Sequence, residues 1–413
     1  MKQIFFPLLL FVLSLPLPLS AQSAADSAAQ IELHALSAVV LDAASGAVLY
    51  EKNPNLPIPP ASLTKLMTTH VALSEAAARG IALDERFELP EESWWRNQPP
   101  RSSLMFIEEG QRASLHELLL GLAIPSGNDA AVAIALRFAP TVADFAAMMN
   151  TQARKFALES TIFVEPSGIS EQNFTTALEF ARFCKIYLQL HPETIKNYHT
   201  VSEFIYPQAE NMPPERKNSP PVRIHRNHVG LVGTYPGADG LKTGYIDESG
   251  YNLAASAVRG GTRFIAVILG VPTENGAYWG PRYRDADGEA LLDWAFEHYK
   301  TIRIAFPALK PARIWKGAES RVKVAPPPDF PNYPEFGAFT VERGRGERVS
   351  YKIKMLEGLL APLPAGTRAG TLTYFDDAGE IAQVPLLTSA AVPEGNAFQR
   401  LWDAILMFFS GVN

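Results

Sequence analysis

The hydrophobic and polar positions of this chain follow two periods, one typical of strands and one typical of helices. Residues 35–53 form short apolar runs around the turn Asp42-Ala-Ala-Ser-Gly46, which predicts two strands joined by a tight turn. Apolar residues then recur at helical spacing in residues 59–73. Between residues 115 and 138 the helical period is interrupted at Pro125-Ser-Gly127, which predicts two helices separated by a break.

Strand patterns return after further helical segments that reach residue 190. Residues 240–246 read as one strand, and the two apolar runs around Arg259-Gly-Gly-Thr262 read as a hairpin. A last amphipathic helix is predicted over residues 285–300. This order predicts an α+β fold with one antiparallel sheet built from both ends of residues 30–301, flanked by helices and a helical subdomain.

The pattern changes after residue 301. Residues 302–392 hold short alternating runs, frequent Pro and Gly, and the hairpin turn Asp376-Asp-Ala-Gly379. They predict a separate small all-β domain.

Both ends of the chain carry apolar segments. Residues 1–21 begin with Lys2, continue in an apolar run and end in the small residue Ala21, which is typical of a cleaved secretory signal peptide. The alternative is an N-terminal membrane anchor, and the three prolines at positions 7, 16 and 18 disfavour the long spanning helix that it requires.

The C-terminal segment, residues 393–413, has the pattern of an amphipathic helix. One arc of about 120° collects its large apolar residues. They are Phe398, Leu401, Trp402, Ile405, Phe408, Phe409 and Val412. We predict that this helix lies in the interface of the cytoplasmic membrane and anchors the protein. The alternative is a helix packed on the β domain.

Composition narrows the class of protein. The chain has 413 residues, is 47% hydrophobic and 19% charged, and carries a formal net charge of −6, so we expect no nucleic-acid partner. Its single cysteine, Cys184, excludes an internal disulfide and lies in a helical pattern that predicts burial.

His225 and His228 have the spacing of a metal-binding pair, but no third ligand accompanies them and the segment reads as a loop. We therefore predict no metal and no cofactor.

Three short polar motifs interrupt the apolar elements. They are Ser62-Leu-Thr-Lys65, Ser126-Gly-Asn128 and Lys242-Thr-Gly244. Each occurs often by chance, but the three in this order and in these structural settings are specific to penicillin-binding proteins and related β-lactamases. No Gly-x-Ser-x-Gly elbow is present, which disfavours an α/β-hydrolase triad.

The first motif has the spacing of a nucleophile and its base. Ser62 and Lys65 are one helical turn apart, so the amine is within reach of the weakly nucleophilic hydroxyl. We expect burial and the nearby cation of Lys242 to lower the pKa of Lys65 and make it a usable base. The backbone N–H groups of Ser62 and Tyr245 are candidates for an oxyanion hole.

The second and third motifs predict relay and binding groups. Ser126 could pass a proton between the lysines and a leaving group, and Asn128 could donate an amide hydrogen to a substrate carbonyl. Lys242 and Thr243 could bind a carboxylate. Gly244 would let a substrate backbone lie close to the strand.

In these three motifs the chain resembles the low-molecular-mass penicillin-binding proteins, which are serine-type D-alanyl-D-alanine carboxypeptidases of peptidase family S11. Beyond the motifs, the resemblance extends over essentially all of the mature chain, including the β domain and the C-terminal segment. The matching segments are residues 101–111, 124–135, 226–233, 239–257 and 393–409.

The resemblance implies a penicillin-binding-protein/β-lactamase-like catalytic domain and a reaction. Ser62 would attack the bond between the two terminal D-alanines of a peptidoglycan stem peptide, and β-lactam antibiotics would acylate the same serine as covalent inhibitors. In the family an arginine after the Lys-Thr-Gly strand helps to bind the terminal carboxylate, and Arg263 is the match here, with Arg226 as a second candidate. The expected location is the periplasm, on the outer face of the inner membrane.

Two departures from the family pattern and three rival functions accompany this prediction. Tyr245 stands where some relatives have histidine. Trp94-Trp95 makes the loop before the second motif unusually aromatic, and this loop could reshape the rim of the cleft or form a hydrophobic lid over the helical region. A class A β-lactamase would need a Glu-x-x-Leu-Asn pattern, but Glu165 is followed by Pro-Ser-Gly-Ile-Ser. A peptidoglycan endopeptidase on the same scaffold and a non-catalytic cell-wall-binding protein are two further candidate functions.

Overall fold

The computed structural model describes residues 31–227, 229–273, 276–328 and 336–411. The predicted signal segment, His228 and Val412 lie outside the described residues.

Five antiparallel strands form the central sheet, in the order β2-β1-β9-β8-β7. The strands before residue 275 are β1 (Ser37–Asp42), β2 (Val48–Lys52), β3 (Arg86–Glu88), β4 (Arg112–Ser114), β5 (Glu203–Tyr206), β6 (Arg223–Arg226), β7 (Ala238–Ile246), β8 (Gly250–Arg259) and β9 (Thr262–Val271). The N-terminal hairpin joins the C-terminal strands through β1 and β9, with Val40 opposite Ala266. The prediction of one antiparallel sheet built from both ends is confirmed.

Six α-helices lie among the described residues before residue 299. They are α1 (Thr64–Arg79), α2 (Leu115–Ala123), α3 (Asn128–Phe138), α4 (Val142–Lys155), α5 (Ala177–Leu190) and α6 (Gly276–His298). The predicted break between α2 and α3 is confirmed. Helix α6 begins earlier than predicted and ends at His298, because residues 299 and 300 already belong to the next strand.

Helices α5 and α6 cover opposite faces of the sheet. Ile265 and Val267 of β9 join the main hydrophobic core, to which α5 contributes Phe180. The side chain of Ile268, one residue further along the strand, points to the other face of the sheet and lies next to Gly288 of α6. Because β9 is buried on both faces, its sequence is a continuous apolar run rather than an alternating one.

The remaining strands form the C-terminal β domain. They are β10 (Tyr299–Ile304), β11 (Ala312–Arg313), β12 (Arg321–Val322), β13 (Val324–Ala325), β14 (Gly337–Glu342), β15 (Ser350–Met355), β16 (Arg368–Asp376) and β17 (Gly379–Thr388). Four of them form the sheet β13-β17-β16-β15, over a core of its own that includes Leu372 and Val384. The predicted boundary at residues 301 and 302 falls inside β10, which pairs with β14. Asp42 of the central sheet accepts hydrogen bonds from Thr301 (2.7 Å) and Thr340 (2.9 Å) at this junction.

The C-terminal helix α7 (Ala397–Ser410) begins at the capping residue Asn396. Asp403 and Met407 are its buried residues, and Asp403 accepts hydrogen bonds from Arg313 Nη2 (2.7 Å) and the Lys316 backbone N–H (2.6 Å). Its aromatic residues face outward, and Phe408 is 82% exposed.

No single helix among the described residues has the length and apolar character needed to cross a membrane. The pair α3 and α4, bent by 85°, meets those criteria only in combination, and both helices contribute to the buried core.

Candidate active site

Ser62 lies in a tight turn at the entrance of α1. Residues Ala61–Leu63 form one turn of 3₁₀-helix, and Ala61 adopts a left-handed φ of +50°. Two glycines allow other segments to approach this turn. A Cβ on Gly168 would lie 1.8 Å from the Ala61 carbonyl oxygen, and one on Gly244 would lie 3.0 Å from the Ser62 backbone nitrogen. The missing side chain of Gly244 makes room for the protein's own backbone, and the predicted approach of a substrate backbone to this glycine stays a prediction.

Lys65 is the base that the geometry offers to Ser62. Its side chain is 1% exposed, and Nζ lies 2.9 Å from Ser62 Oγ. Nζ also donates to Asn128 Oδ1 (2.8 Å) and to the Ser167 carbonyl oxygen (2.6 Å). A neutral amine has two hydrogens and one lone pair. Because the amide oxygen and the carbonyl oxygen can only accept, they use both hydrogens, and the lone pair is left for the hydroxyl of Ser62.

Burial lowers the pKa of Lys65 from 10.5 to about 7, against the opposing effect of the Glu165 and Asp129 carboxylates. Burial also lowers the pKa of Lys242 well below its ordinary value, and the charges of Lys65 and Arg284 lower it further. Burial is the principal cause at both lysines, as the sequence led us to expect for Lys65, and the repulsion between the two ammonium groups adds to it.

The Ser126-Gly-Asn128 segment connects α2 to α3 on the other side of the cleft. Ser126 has a φ of +60°, a strained conformation for a residue with a side chain. Its Oγ is buried and has no hydrogen-bond partner among the described residues. The Asn128 backbone N–H donates to the Ser103 carbonyl oxygen (2.8 Å). Since Asn128 Oδ1 already accepts from Lys65, its amide N–H group is what remains for a ligand.

Asp129, which the three motifs do not include, holds the rim of the cleft. Its buried carboxylate accepts hydrogen bonds from the backbone N–H groups of Met105 (2.8 Å), Phe106 (2.7 Å) and Ile107 (3.0 Å). Burial raises its pKa, and these hydrogen bonds oppose the shift. The only sequence signal for this role is its position directly after the second motif.

Strand β7 forms the third wall of the cleft. A cavity of about 490 Å³ is lined by residues of all three motifs, including Ser62, Ser126 and Thr243. Lys242 is 3% exposed, and its Nζ donates to the Thr243 carbonyl oxygen (3.1 Å). Tyr245 also lines the cavity, and its hydroxyl donates to Asp247 (2.6 Å).

The guanidinium group at this end of the cleft belongs to Arg284, not to Arg263. Lys242 is in register with Val267 of β9 through Ala254 of β8, and Arg263 lies four residues along β9 from that position. Arg263 donates to Asp239 (2.7 Å) and is not among the described residues that line the cavity. Arg284 of α6 lines the cavity and is close enough to lower the pKa of Lys242. The prediction of Arg263 as a binding residue is therefore replaced.

Arg226, the second candidate for carboxylate binding, lies in β6. It is likewise not among the described residues that line the cavity.

Glu165 is saturated by the loop that follows it. Its carboxylate accepts from Ser167 N–H (2.7 Å), the Ser167 hydroxyl (2.6 Å), Gly168 N–H (2.6 Å) and Asn173 Nδ2 (2.9 Å). These hydrogen bonds shape the loop that presents the Ser167 carbonyl to Lys65. Glu165 therefore acts as a structural carboxylate beside the site.

Within the described ranges no group of three or more His, Cys, Asp or Glu side chains is arranged to hold a metal ion. His225 lines the cleft cavity, and its ring stacks on Phe106 at 6.3 Å.

The fold and the site together define a serine acyl-transfer hydrolase of the penicillin-binding type. Residues 22–273 match the family model of D-alanyl-D-alanine carboxypeptidases, peptidase family S11, and residues 300–394 match the C-terminal domain of penicillin-binding protein 5. The chain belongs to the serine-type D-alanyl-D-alanine carboxypeptidase family.

Individual relatives agree with this membership. The chain is 32% identical to D-alanyl-D-alanine carboxypeptidase DacC of Escherichia coli, over 90% of this chain and 87% of that protein. Its structure is similar to penicillin-binding protein 5 from Haemophilus influenzae, with a TM-score of 0.73, 28% identity, and coverage of 88% of this chain and 99% of the other. Penicillin-binding protein D2 from Listeria monocytogenes, solved in its ampicillin-bound form, matches 65% of this chain and 99% of its own, with 28% identity and a TM-score of 0.54.

Proposed function

We propose that this carboxypeptidase removes the terminal D-alanine from peptidoglycan pentapeptide stems through an acyl-enzyme on Ser62. The observation that carries the proposal is the hydrogen-bond arrangement of Lys65, which directs the lone pair of a low-pKa amine to the hydroxyl of Ser62.

In the acylation step, Ser62 Oγ attacks the carbonyl carbon of the penultimate D-alanine and its proton passes to Lys65 Nζ. The backbone N–H groups of Ser62 and Tyr245 stabilise the oxyanion. The C–N bond then breaks, and the leaving amine receives a proton through Ser126, whose hydroxyl has no competing partner among the described residues. Free D-alanine leaves an ester on Ser62, which water hydrolyses with Lys65 again accepting a proton.

Positive and polar groups at the end of β7 select the carboxyl terminus of the substrate. Lys242 and Arg284 supply charge, and Thr243 supplies a hydroxyl on the cavity wall. Asn128 donates its amide N–H to a substrate carbonyl from the opposite side. A β-lactam, which also carries a carboxylate next to a reactive carbonyl, would acylate Ser62 in the same pose.

The hydrogen bonds of Glu165 disfavour the β-lactamase alternative, because a carboxylate that accepts from four groups is not available to activate a water. The endopeptidase alternative shares the nucleophile and differs in the length of the leaving group. The C-terminal β domain and the amphipathic helix favour the carboxypeptidase. The intact Ser62–Lys65 pair disfavours a non-catalytic wall-binding protein.

We also propose that residues 1–21 direct export and that α7 rests on the outer face of the inner membrane, so that the enzyme works in the periplasm. Support for the attachment comes from the orientation of α7: its buried Asp403 faces the β domain, and Phe408 and Phe409 are more than 80% exposed.

Release of D-alanine from a soluble pentapeptide tests the proposal. We expect the wild type to release D-alanine and to be labelled by a fluorescent penicillin, and Ser62→Ala to do neither. Activity that survives in Ser62→Ala would overturn the mechanism. A label that disappears within seconds would favour the β-lactamase alternative.

A further inference from the structure

A second cavity lies on the far side of the cleft rim. It has a volume of about 370 Å³, within the range of about 300–1,000 Å³ typical of small-molecule sites. Its walls combine two aromatic and four charged side chains. They are Trp94, Trp95, Arg96, Glu108, Glu109 and Arg216.

The tryptophans present carbon, not their polar atoms, to this cavity. Nε1 of both Trp94 and Trp95 is buried, whereas both side chains are partly exposed. Trp94 also packs against the main core, which fixes its position. The accessible parts of these indoles are therefore apolar ring surfaces, suited to stacking on a flat apolar face of a ligand.

The charges of the cavity are balanced. Arg216 Nη1 pairs with Glu108 Oε2 (3.2 Å), and the same guanidinium donates to the Glu109 carbonyl oxygen. Arg96 lies over the Trp95 ring, 5.5 Å from its centroid. Two cations and two anions give no net preference for a charged ligand, whereas planar guanidinium and carboxylate groups bind neutral hydroxyl and amide groups well.

The cavity and the catalytic cleft share one wall. Phe106 lines the cleft, and the next three residues, 107–109, line the second cavity. The Trp95 ring lies 6.1 Å from that of Phe106, and the Trp95 backbone N–H donates to the Ile107 carbonyl (2.8 Å). A single substrate that crosses this shared wall could therefore occupy both the catalytic cleft and the second cavity.

We propose that this cavity is a saccharide subsite, which binds a sugar of the glycan strand that carries the stem peptide. A pyranose ring has a face of C–H groups, which matches the indole surfaces, and a rim of hydroxyl and acetamido groups, which matches the guanidinium and carboxylate groups. The inference rests on the proposed function, since it names a further part of the same substrate. It makes the enzyme selective for stems attached to sugar.

The test compares a free pentapeptide with the same pentapeptide attached to its disaccharide. The variants are Trp95→Ala and the conservative Glu109→Gln, with Trp402→Ala on α7 as the matched exposed-tryptophan control. We expect wild type and Trp402→Ala to have a several-fold higher kcat/KM for the disaccharide substrate. We expect Trp95→Ala to lose about tenfold on that substrate, and Glu109→Gln to lose less, while both stay within twofold of wild type on the free peptide.

Calorimetry provides a second readout that does not depend on turnover. Enzyme acylated with penicillin should still bind the peptide-free disaccharide, and Trp95→Ala, acylated to the same extent, should not. Equal losses on both substrates would overturn the proposal, because they would indicate a site for the peptide portion or a disturbed rim. So would a wild type without preference for the disaccharide substrate. Failure of the proposed function itself would be distinct, since wild type would then release no D-alanine from either substrate or Ser62→Ala would retain activity on both.

Discussion

Lys65 Nζ donates a 2.6 Å hydrogen bond to the carbonyl oxygen of Ser167, 102 residues further along the chain. This contact joins the proposed base of the reaction to the loop that Glu165 organises. The loop holds one hydrogen of the amine, Asn128 holds the other, and the lone pair is thereby oriented toward Ser62. Tertiary contacts therefore hold the amine in place, and burial keeps its pKa low.

The acylation rate should depend on pH through Lys65. Its pKa is lowered to about 7, so the amine is protonated and inactive as a base below that pH and neutral above it. We expect the rate of labelling by a fluorescent penicillin to be half-maximal near pH 7 and to approach a plateau at higher pH. Lys65→Ala should lower the rate by about 10²–10⁴-fold at the plateau. A midpoint near pH 10 would contradict a buried, neutral base.

Glu165→Gln should change acylation as well as deacylation, because both steps use Lys65 as the base. The substitution removes the carboxylate that raises the pKa of Lys65, so the midpoint of the acylation profile should move to lower pH. It also weakens the loop that presents the Ser167 carbonyl, so the plateau rate should fall. Stopped-flow labelling and decay of the label measure the two steps separately, with the exposed Glu171→Gln as the control. A variant that acylates normally but never releases the label would instead assign Glu165 to water activation.

Substitution of Arg284 should impair recognition of the substrate carboxylate, whereas substitution of Arg263 should not. Removal of a charge-assisted hydrogen bond costs about 1.5–3 kcal/mol, so Arg284→Ala should lower kcat/KM by about 10–100-fold for a peptide with a free carboxyl terminus. The effect should be much smaller for the C-terminally amidated peptide. Arg263→Ala loses its ion pair with Asp239 and should lower thermal stability without this discrimination between substrates. The reverse result would restore Arg263 to the binding site.

Deletion of α7 should release the enzyme from membranes without impairing catalysis. The exposed aromatic residues of this helix face away from the β domain, and none of the described residues lining the cleft belongs to it. We expect a chain truncated after Gly395 to remain in the supernatant with lipid vesicles and to keep its kcat/KM on a soluble peptide. Full-length protein should sediment with the vesicles, and Phe408→Ser combined with Phe409→Ser should weaken sedimentation. A truncated protein that still sediments would contradict anchoring by α7.

The sequence predicted much of the fold, because periodicity is a local property. The short apolar runs in residues 35–53 and 240–246 indicate strands, and the helical period in residues 115–138 indicates which side of a helix is buried. The break at Pro125-Ser-Gly127 was visible because proline and glycine act on their own backbone. The three motifs were recognisable because each is a short fixed pattern. Together they indicated the α+β fold, the family and the central Ser62–Lys65 pair.

Only the tertiary structure decided which groups meet. Nothing local to Arg284 connects it to Lys242, and Arg263 matched the expected strand but lies at its wrong end. The carboxylates of Asp129 and Glu165 became structural groups only when backbone N–H groups from loops converged on them. Periodicity reports how a residue relates to its own element, whereas partners distant in sequence are set by how elements pack. For that reason the sequence by itself determined the elements and the reaction class, and the packing determined the pKa of the base and the identity of the arginine in the cleft.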